Sequence, residues 1–162
     1  MKNLLFAILI LSANVLYANK APWLFVCGST DLQFANDKRY FFLSESDSNP
    51  LILGDSKNIQ INRKNKTIKV WVTDLISYSK RQGIISKLGK YDDFSNLGYD
   101  NQLLLIDYAN MRYKIISFSY FNCDGTVIST TKGDGVWDEI PPSTTMDGVT
   151  QSIMNKYKIK GL

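Results

Sequence analysis

The chain has 162 residues, with 19 Lys and Arg against 15 Asp and Glu, a net charge of +4, 44% hydrophobic residues, two Cys and no His. This is the make-up of one globular domain with an ordinary charged fraction. Without histidine there is no imidazole base, Ser-His-Asp or Cys-His nucleophile, or His-ligated metal, and two cysteines exclude a four-thiolate centre.

The amino terminus reads as a secretory signal over residues 1–18. Lys2 supplies the positive region, Leu4 to Leu11 is unbroken and apolar, and Leu16-Tyr17-Ala18 places a small residue at the expected cut. The apolar run is shorter than the roughly 20 residues a spanning helix needs. No comparable run follows, so residues 19–162 are expected to be one exported domain that does not span the membrane, in the periplasm or on the outer cell surface. A domain of this size buries about 70% of its unfolded surface and needs no metal to fold.

Trp23 to Ser29 and Arg39 to Leu43 are short aromatic-rich runs of strand type. Ser44 to Lys57 turns to Ser, Asp, Asn, Pro and Gly and is expected to be a loop. Asn58 to Asn62 and Thr67 to Thr73 alternate polar and apolar residues, with Ile68, Val70 and Val72 on one face. The polar Arg63-Lys64-Asn65-Lys66 connection makes these two runs a hairpin.

From Ser77 to Asn101 the pattern weakens, and a short helix or excursion loop is expected. Gln102 to Asp107 and Tyr113 to Phe121 are further strands. Asn122-Cys123-Asp124-Gly125 turns into another at Thr126 to Thr131, Asp-Gly being a strong hairpin signal. After Pro141-Pro142, Ser143 is placed to cap a helix carrying Met146, Val149, Ile153 and Tyr157 at helical spacing. The expected class is α+β: an antiparallel meander of about six strands with the carboxy-terminal helix packed on or beside the sheet.

Export would put Cys27 and Cys123 in an oxidising compartment. They are either bridged, closing most of the domain in one loop, or two separate thiols; spacing alone does not decide.

Chemistry-bearing patterns are sparse. Ser77-Tyr78-Ser79-Lys80 matches the S-x-x-K spacing of serine acyl enzymes, but no S-D-N or K-T-G element follows, and a solvated helix or loop face accounts for it. Asp92, Asp93, Asp134, Asp138 and Glu139 show no spacing that would set two carboxyls across a cleft. Asp92 to Asp100 lacks the alternation of a calcium loop. The expectation is a protein without enzymatic activity, metal or cofactor.

Arg63, Lys64 and Lys66 cluster in one turn, and Lys69 continues onto a strand. Loss of Lys2 with the signal lowers the net charge further, too low to drive nucleic-acid binding. Charged turns are ordinarily solvated. Nine Tyr, eight Phe and three Trp exceed what one small core must hold. Tyr113, Phe118, Tyr120 and Phe121 occupy both faces of one strand. The second face is then covered by the terminal helix or presented to a partner, where Tyr and Trp are the usual anchors.

Trp23, the strand Lys69 to Val72, the pair Leu103 to Asp107 and Tyr113 to Ser117, the turn Asp124 to Ile128 and Val136-Trp137-Asp138-Glu139-Ile140-Pro141-Pro142-Ser143 occur in that order before the final helix. Together they resemble the surface-adhesin protein E family of small exported bacterial proteins, over nearly all of residues 19–162. The resemblance implies about six antiparallel strands with a helix, a homodimer and adhesion to host matrix proteins. Family members often carry a cysteine in the strand before the Arg/Tyr-rich strand and another near the carboxy terminus. Here Leu105-Ile106-Asp107 and Met154 to Tyr157 contain neither. The expected function is non-enzymatic binding of a protein partner through an aromatic and basic sheet surface, with Arg63, Lys64, Lys66 and Trp71 as contacts. The other reading is a periplasmic accessory or structural protein of the same fold that never meets a host.

Overall fold

The structure is a computed structural model that describes residues 26, 27, 34, 37–45 and 51–160. The signal reading of residues 1–18 lies outside the described residues, as does most of the strand expected at Trp23 to Ser29. Its two described members, Val26 and Cys27, form a bend.

From Tyr40 onward, the described residues form eight strands and two helices in order: β1 (Tyr40–Ser44), β2 (Leu51–Asp55), β3 (Gln60–Asn62), β4 (Thr67–Leu75), α1 (Tyr78–Leu88), β5 (Leu97–Asp107), β6 (Arg112–Asn122), β7 (Val127–Lys132), β8 (Asp138–Glu139) and α2 (Thr145–Lys156). All pairings are antiparallel. The sheet has eight strands, two more than the roughly six expected; its main path runs β1-β2-β4-β5-β6-β7. The two extra strands are short and share an edge with a longer neighbour. β3 takes the Thr67–Lys69 end of β4, beside the stretch paired with β2, and β8 takes the Arg112–Tyr113 end of β6, beside the stretch paired with β7.

The stretch expected to be a loop at Ser44 to Lys57 contains β2, which is buried along its whole length. Its Leu-Ile-Leu run lacks alternation because both faces are covered, and Gly54 sits where a Cβ would strike the Phe41 ring. The weakly patterned stretch after Ser77 resolves into α1 and the first half of β5. The terminal helix α2 forms as expected, but its cap is Thr144, whose hydroxyl accepts the Asp147 N–H at 3.2 Å. Ser143 is left-handed (φ 62°), and its N–H donates to Asp147 Oδ2 at 2.9 Å, so the two residues cap reciprocally one position later than the sequence suggested.

The main core lies on one sheet face. Ile68, Val70 and Val72 of β4, Leu104 and Ile106 of β5 and Ile52 of β2 pack there beneath Val149, Ile153 and Met154 of α2. The helix is tied to β1 by Ser152, whose hydroxyl donates to the Leu43 carbonyl at 2.6 Å. Further along the same face, Ile84, Ile85 and Leu88 of α1 pack on Ile76, Phe94, Leu97 and Tyr120. Both described helices therefore cover one side. The excess aromatics are absorbed in part by this arrangement: Phe94 meets Tyr120, and Phe41 meets Tyr157, each edge to face.

Candidate functional site

Among the described residues, no helix covers the middle of the opposite face. Register places two rows across it. One runs Gln60, Lys69, Leu105, Lys114; the other runs Trp71, Leu103, Ser117, Lys132. Because side chains alternate along a strand, these positions point away from Val70, Val72, Leu104 and Ile106 and hence away from the helices. Trp71, Leu103, Leu105, Lys69 and Lys114 are all half-buried. Trp71, Leu103 and Lys69, with Lys57, Asn58 and Ile59, line a cavity of about 200 Å³. Trp137, just before β8, extends the patch: the Arg112 guanidinium lies 4.7 Å and the Lys114 ammonium 4.9 Å from its ring centroid. Arg112 is also bound to Asp107 at 2.9 Å. The two rows carry three lysines and no carboxylate, while the next row on the same face, Asp107, Arg112 and Glu139, carries both signs.

The four contact residues expected from the sequence do not form one surface. Trp71 lies in the open patch. Arg63 and Lys64 are exposed in the β3–β4 turn, and Arg63 Nη2 donates to the Tyr157 carbonyl at 3.1 Å, at the carboxy-terminal end of α2 on the covered side. There it meets the negative end of the helix dipole. Lys66 is left-handed (φ 54°) and half-buried, and its carbonyl accepts the Tyr108 N–H at 3.1 Å. Lys69, Leu103, Leu105 and Lys114 were not singled out as one set, because only the cross-strand register brings them beside Trp71.

Cys27 and Cys123 are bonded, with Sγ–Sγ 2.06 Å and Cα–Cα 5.2 Å across 96 positions of sequence. Gly98 makes room for the bridge: a Cβ there would overlap Cys27 Sγ and crowd the Cys123 backbone. The bonded pair suits an oxidising environment.

The S-x-x-K element opens α1: Tyr78 and Ser79 are exposed on the helix, as expected, while Ser77 and Lys80 are engaged internally. Ser77 is a buried N-cap whose hydroxyl accepts the Lys80 N–H at 3.3 Å, and Lys80 Nζ binds Asp100 Oδ2 at 3.3 Å. Asp100 faces Asp74 across β4 and β5, and Gln102 Nε2 donates to both, at 3.0 Å to Asp100 and 3.4 Å to Asp74. Burial, with the Asp100 charge adding and Lys80 opposing, pushes the Asp74 carboxyl up to about 7. Burial also raises Asp100, against the pull of Lys80 and Gln102. Neither carboxyl lines the cavity beside Trp71.

The carboxylates singled out in the sequence, Asp92, Asp93, Asp134, Asp138 and Glu139, are all exposed. Asp93 Oδ1 accepts the Ser95 N–H and Asp134 Oδ1 the Val136 N–H, each at 2.9 Å, while Asp138 and Glu139 form β8. Among the described residues, no three His, Cys, Asp or Glu are grouped to hold a metal ion, and no helix is long and apolar enough to cross a membrane. The chain matches no protein-family model and no curated protein.

Proposed function

We propose that this is a non-enzymatic, exported bacterial envelope protein that binds an acidic surface of a protein partner on the open face of its sheet. The observation that carries the reading is the Trp71–Leu103 pair, half-buried and bordered by Lys69, Lys114 and Lys132 on neighbouring strands. Aromatic and aliphatic groups inside a basic rim suit protein recognition: the apolar centre is desolvated on docking, and the lysines steer and orient an acidic partner. The resemblance to the surface-adhesin protein E family supports the same reading and suggests host matrix proteins as partners. The Cys27–Cys123 bond favours an exported setting.

Two measurements test the proposal. Brief protease treatment of intact cells should remove a tagged copy while sparing a periplasmic control. Purified protein should bind at least one immobilised extracellular-matrix protein, and Trp71→Ala or Lys69→Glu should weaken that binding about tenfold or more. Protection from protease until the outer membrane is broken would favour the periplasmic accessory reading. Binding that is indifferent to both substitutions would remove the sheet face from consideration.

A further inference from the structure

A larger cavity of about 340 Å³ lies at the other end of β5 from Leu105, beside the disulfide, and its walls come from two parts of the chain. Phe34, Asp37 and Tyr40 form one side. Tyr99 of β5 with Cys123 and Asp124 of the β6–β7 turn form the other. The Cys27–Cys123 bond staples the amino-terminal segment to that turn, seven residues before Phe34, so the bridge lies where the two walls meet.

The rings are set as corners and not as a stack. Phe34 stands 5.1 Å from Tyr40 at 71° and 4.8 Å from Tyr99 at 68°, measured between centroids and planes. Tyr99 is backed by Phe121 at 4.9 Å and 4°, which fixes that wall. Among the described lining residues, both charges are negative. Asp37 Oδ1 accepts the Arg39 N–H and Asp124 Oδ1 the Thr126 N–H, and neither carboxylate is in an ion pair among the described residues. Arg39 lies 5.4 Å from the Tyr40 ring centroid, but its charge is matched by Asp55 at 2.6 Å.

We propose that this cavity binds a small trimethylammonium solute, with the cation against the Phe34, Tyr40 and Tyr99 rings and under the field of Asp37 and Asp124. Ring quadrupoles attract a cation without needing it to donate hydrogen bonds. A primary ammonium carries three N–H donors that require acceptors. Here the carboxylates sit at the exposed rim, while the buried Tyr99 and the disulfide define the interior. A weakly hydrated, methylated cation loses least on entering such a site. The site shares neither Trp71 nor the lysine rows with the proposed protein-binding face, so either can stand without the other.

The test is calorimetric titration of the purified, disulfide-bonded protein with choline, with its neutral isostere 3,3-dimethyl-1-butanol, and with n-butylammonium. Choline should bind saturably and at least about tenfold more tightly than either competitor. Tyr40→Phe should keep the affinity, while Tyr40→Leu should lose about tenfold. The double variant Asp37→Asn with Asp124→Asn changes only exposed side chains, so it should fold normally and bind several-fold more weakly, with less salt dependence. Equal binding of the alcohol or of n-butylammonium would overturn the proposal. So would the absence of saturable choline binding, or unchanged affinity in both the Tyr40→Leu and the double variant.

Discussion

Asp74 and Asp100 stand directly opposite one another on β4 and β5, both buried on the helix-covered face of the sheet. Lys80 of α1 binds Asp100, and Gln102 bridges the two acids. Tyr120 faces Asp100 from β6, and its hydroxyl is raised by burial with a further contribution from that acid. Two buried carboxyls sharing one ammonium cannot both ionise cheaply, so the folded pair retains a proton that free side chains would release.

Stability should therefore decline as the solution passes from weakly acidic to alkaline. The Asp74 carboxyl is raised from 3.8 to about 7 by folding. Its contribution is fully present below pH about 4 and is lost as pH rises through about 7, with a slope of roughly 1.4 kcal/mol per pH unit for one proton. Asp55 and Asp107 have the opposite sign. Burial opposes their ionisation, but hydrogen bonds from Arg39 and Asn58 to Asp55, and from Asn110 and Arg112 to Asp107, outweigh it and lower both. Their contributions are lost only below pH about 4. Urea unfolding at pH 5 and pH 8 should show the wild type weaker at pH 8, and Asp74→Asn should remove most of the difference. A wild type equally stable at both values would refute the shared proton.

Capping of α2 offers a test of one-residue precision. Thr144→Ala should destabilise the protein by about 1 kcal/mol, the usual cost of a lost N-cap oxygen. Ser143→Gly should not destabilise it, because Ser143 is left-handed and contributes its backbone N–H rather than a capping hydroxyl. Thermal melts of the two variants compare these directly. The opposite ranking would return the cap to Ser143.

Neighbouring cations in the β3–β4 turn should behave differently. Arg63→Ala should cost roughly 0.5–1 kcal/mol, because it removes the hydrogen bond to Tyr157 at the end of α2. Exposed Lys64 has no such contact at the helix end, and Lys64→Ala should stay within about 0.5 kcal/mol of wild type. Denaturant midpoints measured side by side decide the matter, and equal effects would make Arg63 one more solvated charge.

What could be read in the sequence follows from which residues had only one buried face. β4 was legible because Ile68, Val70 and Val72 alternate with Lys69 and Trp71, the pattern of a half-covered strand. β2 was not, because Leu51, Ile52 and Leu53 are buried on both sides and sit among loop-forming residues. The first half of β5 was hidden for a different reason. Asp100 and Asn101 look like loop composition, yet they are satisfied inside the sheet by Lys80 with Gln102 and by Thr73. Trp71 could be singled out from its own strand. Its companions Leu103 and Lys114 could not, since register between distant strands depends on the folded turns and bulges. The buried acids were missed because an isolated carboxylate in sequence reads as solvated, and only the fold sets Lys80 of α1 beside Asp100 of β5.

The bridge and the glycine that accommodates it should fail together. A closed loop spanning 96 positions should contribute roughly 4–5 kcal/mol by restricting the unfolded chain. Cys123→Ser should therefore lower the urea midpoint strongly, and reduction of the wild type should reproduce the loss. Gly98→Ala leaves both cysteines in place but puts a methyl group against Cys27 Sγ and the Cys123 backbone. It should destabilise the oxidised protein by about 1–3 kcal/mol, through overpacking at a site where backbone cannot yield easily. The same substitution should cost clearly less once the bridge is reduced and the sulfur can move aside, leaving only the contact with the Cys123 backbone. Midpoints of wild type and Gly98→Ala, each oxidised and reduced, make a double-mutant cycle for this contact. A penalty of the same size in both redox states would mean that Gly98 is required by the strand itself and not by the disulfide packed on it.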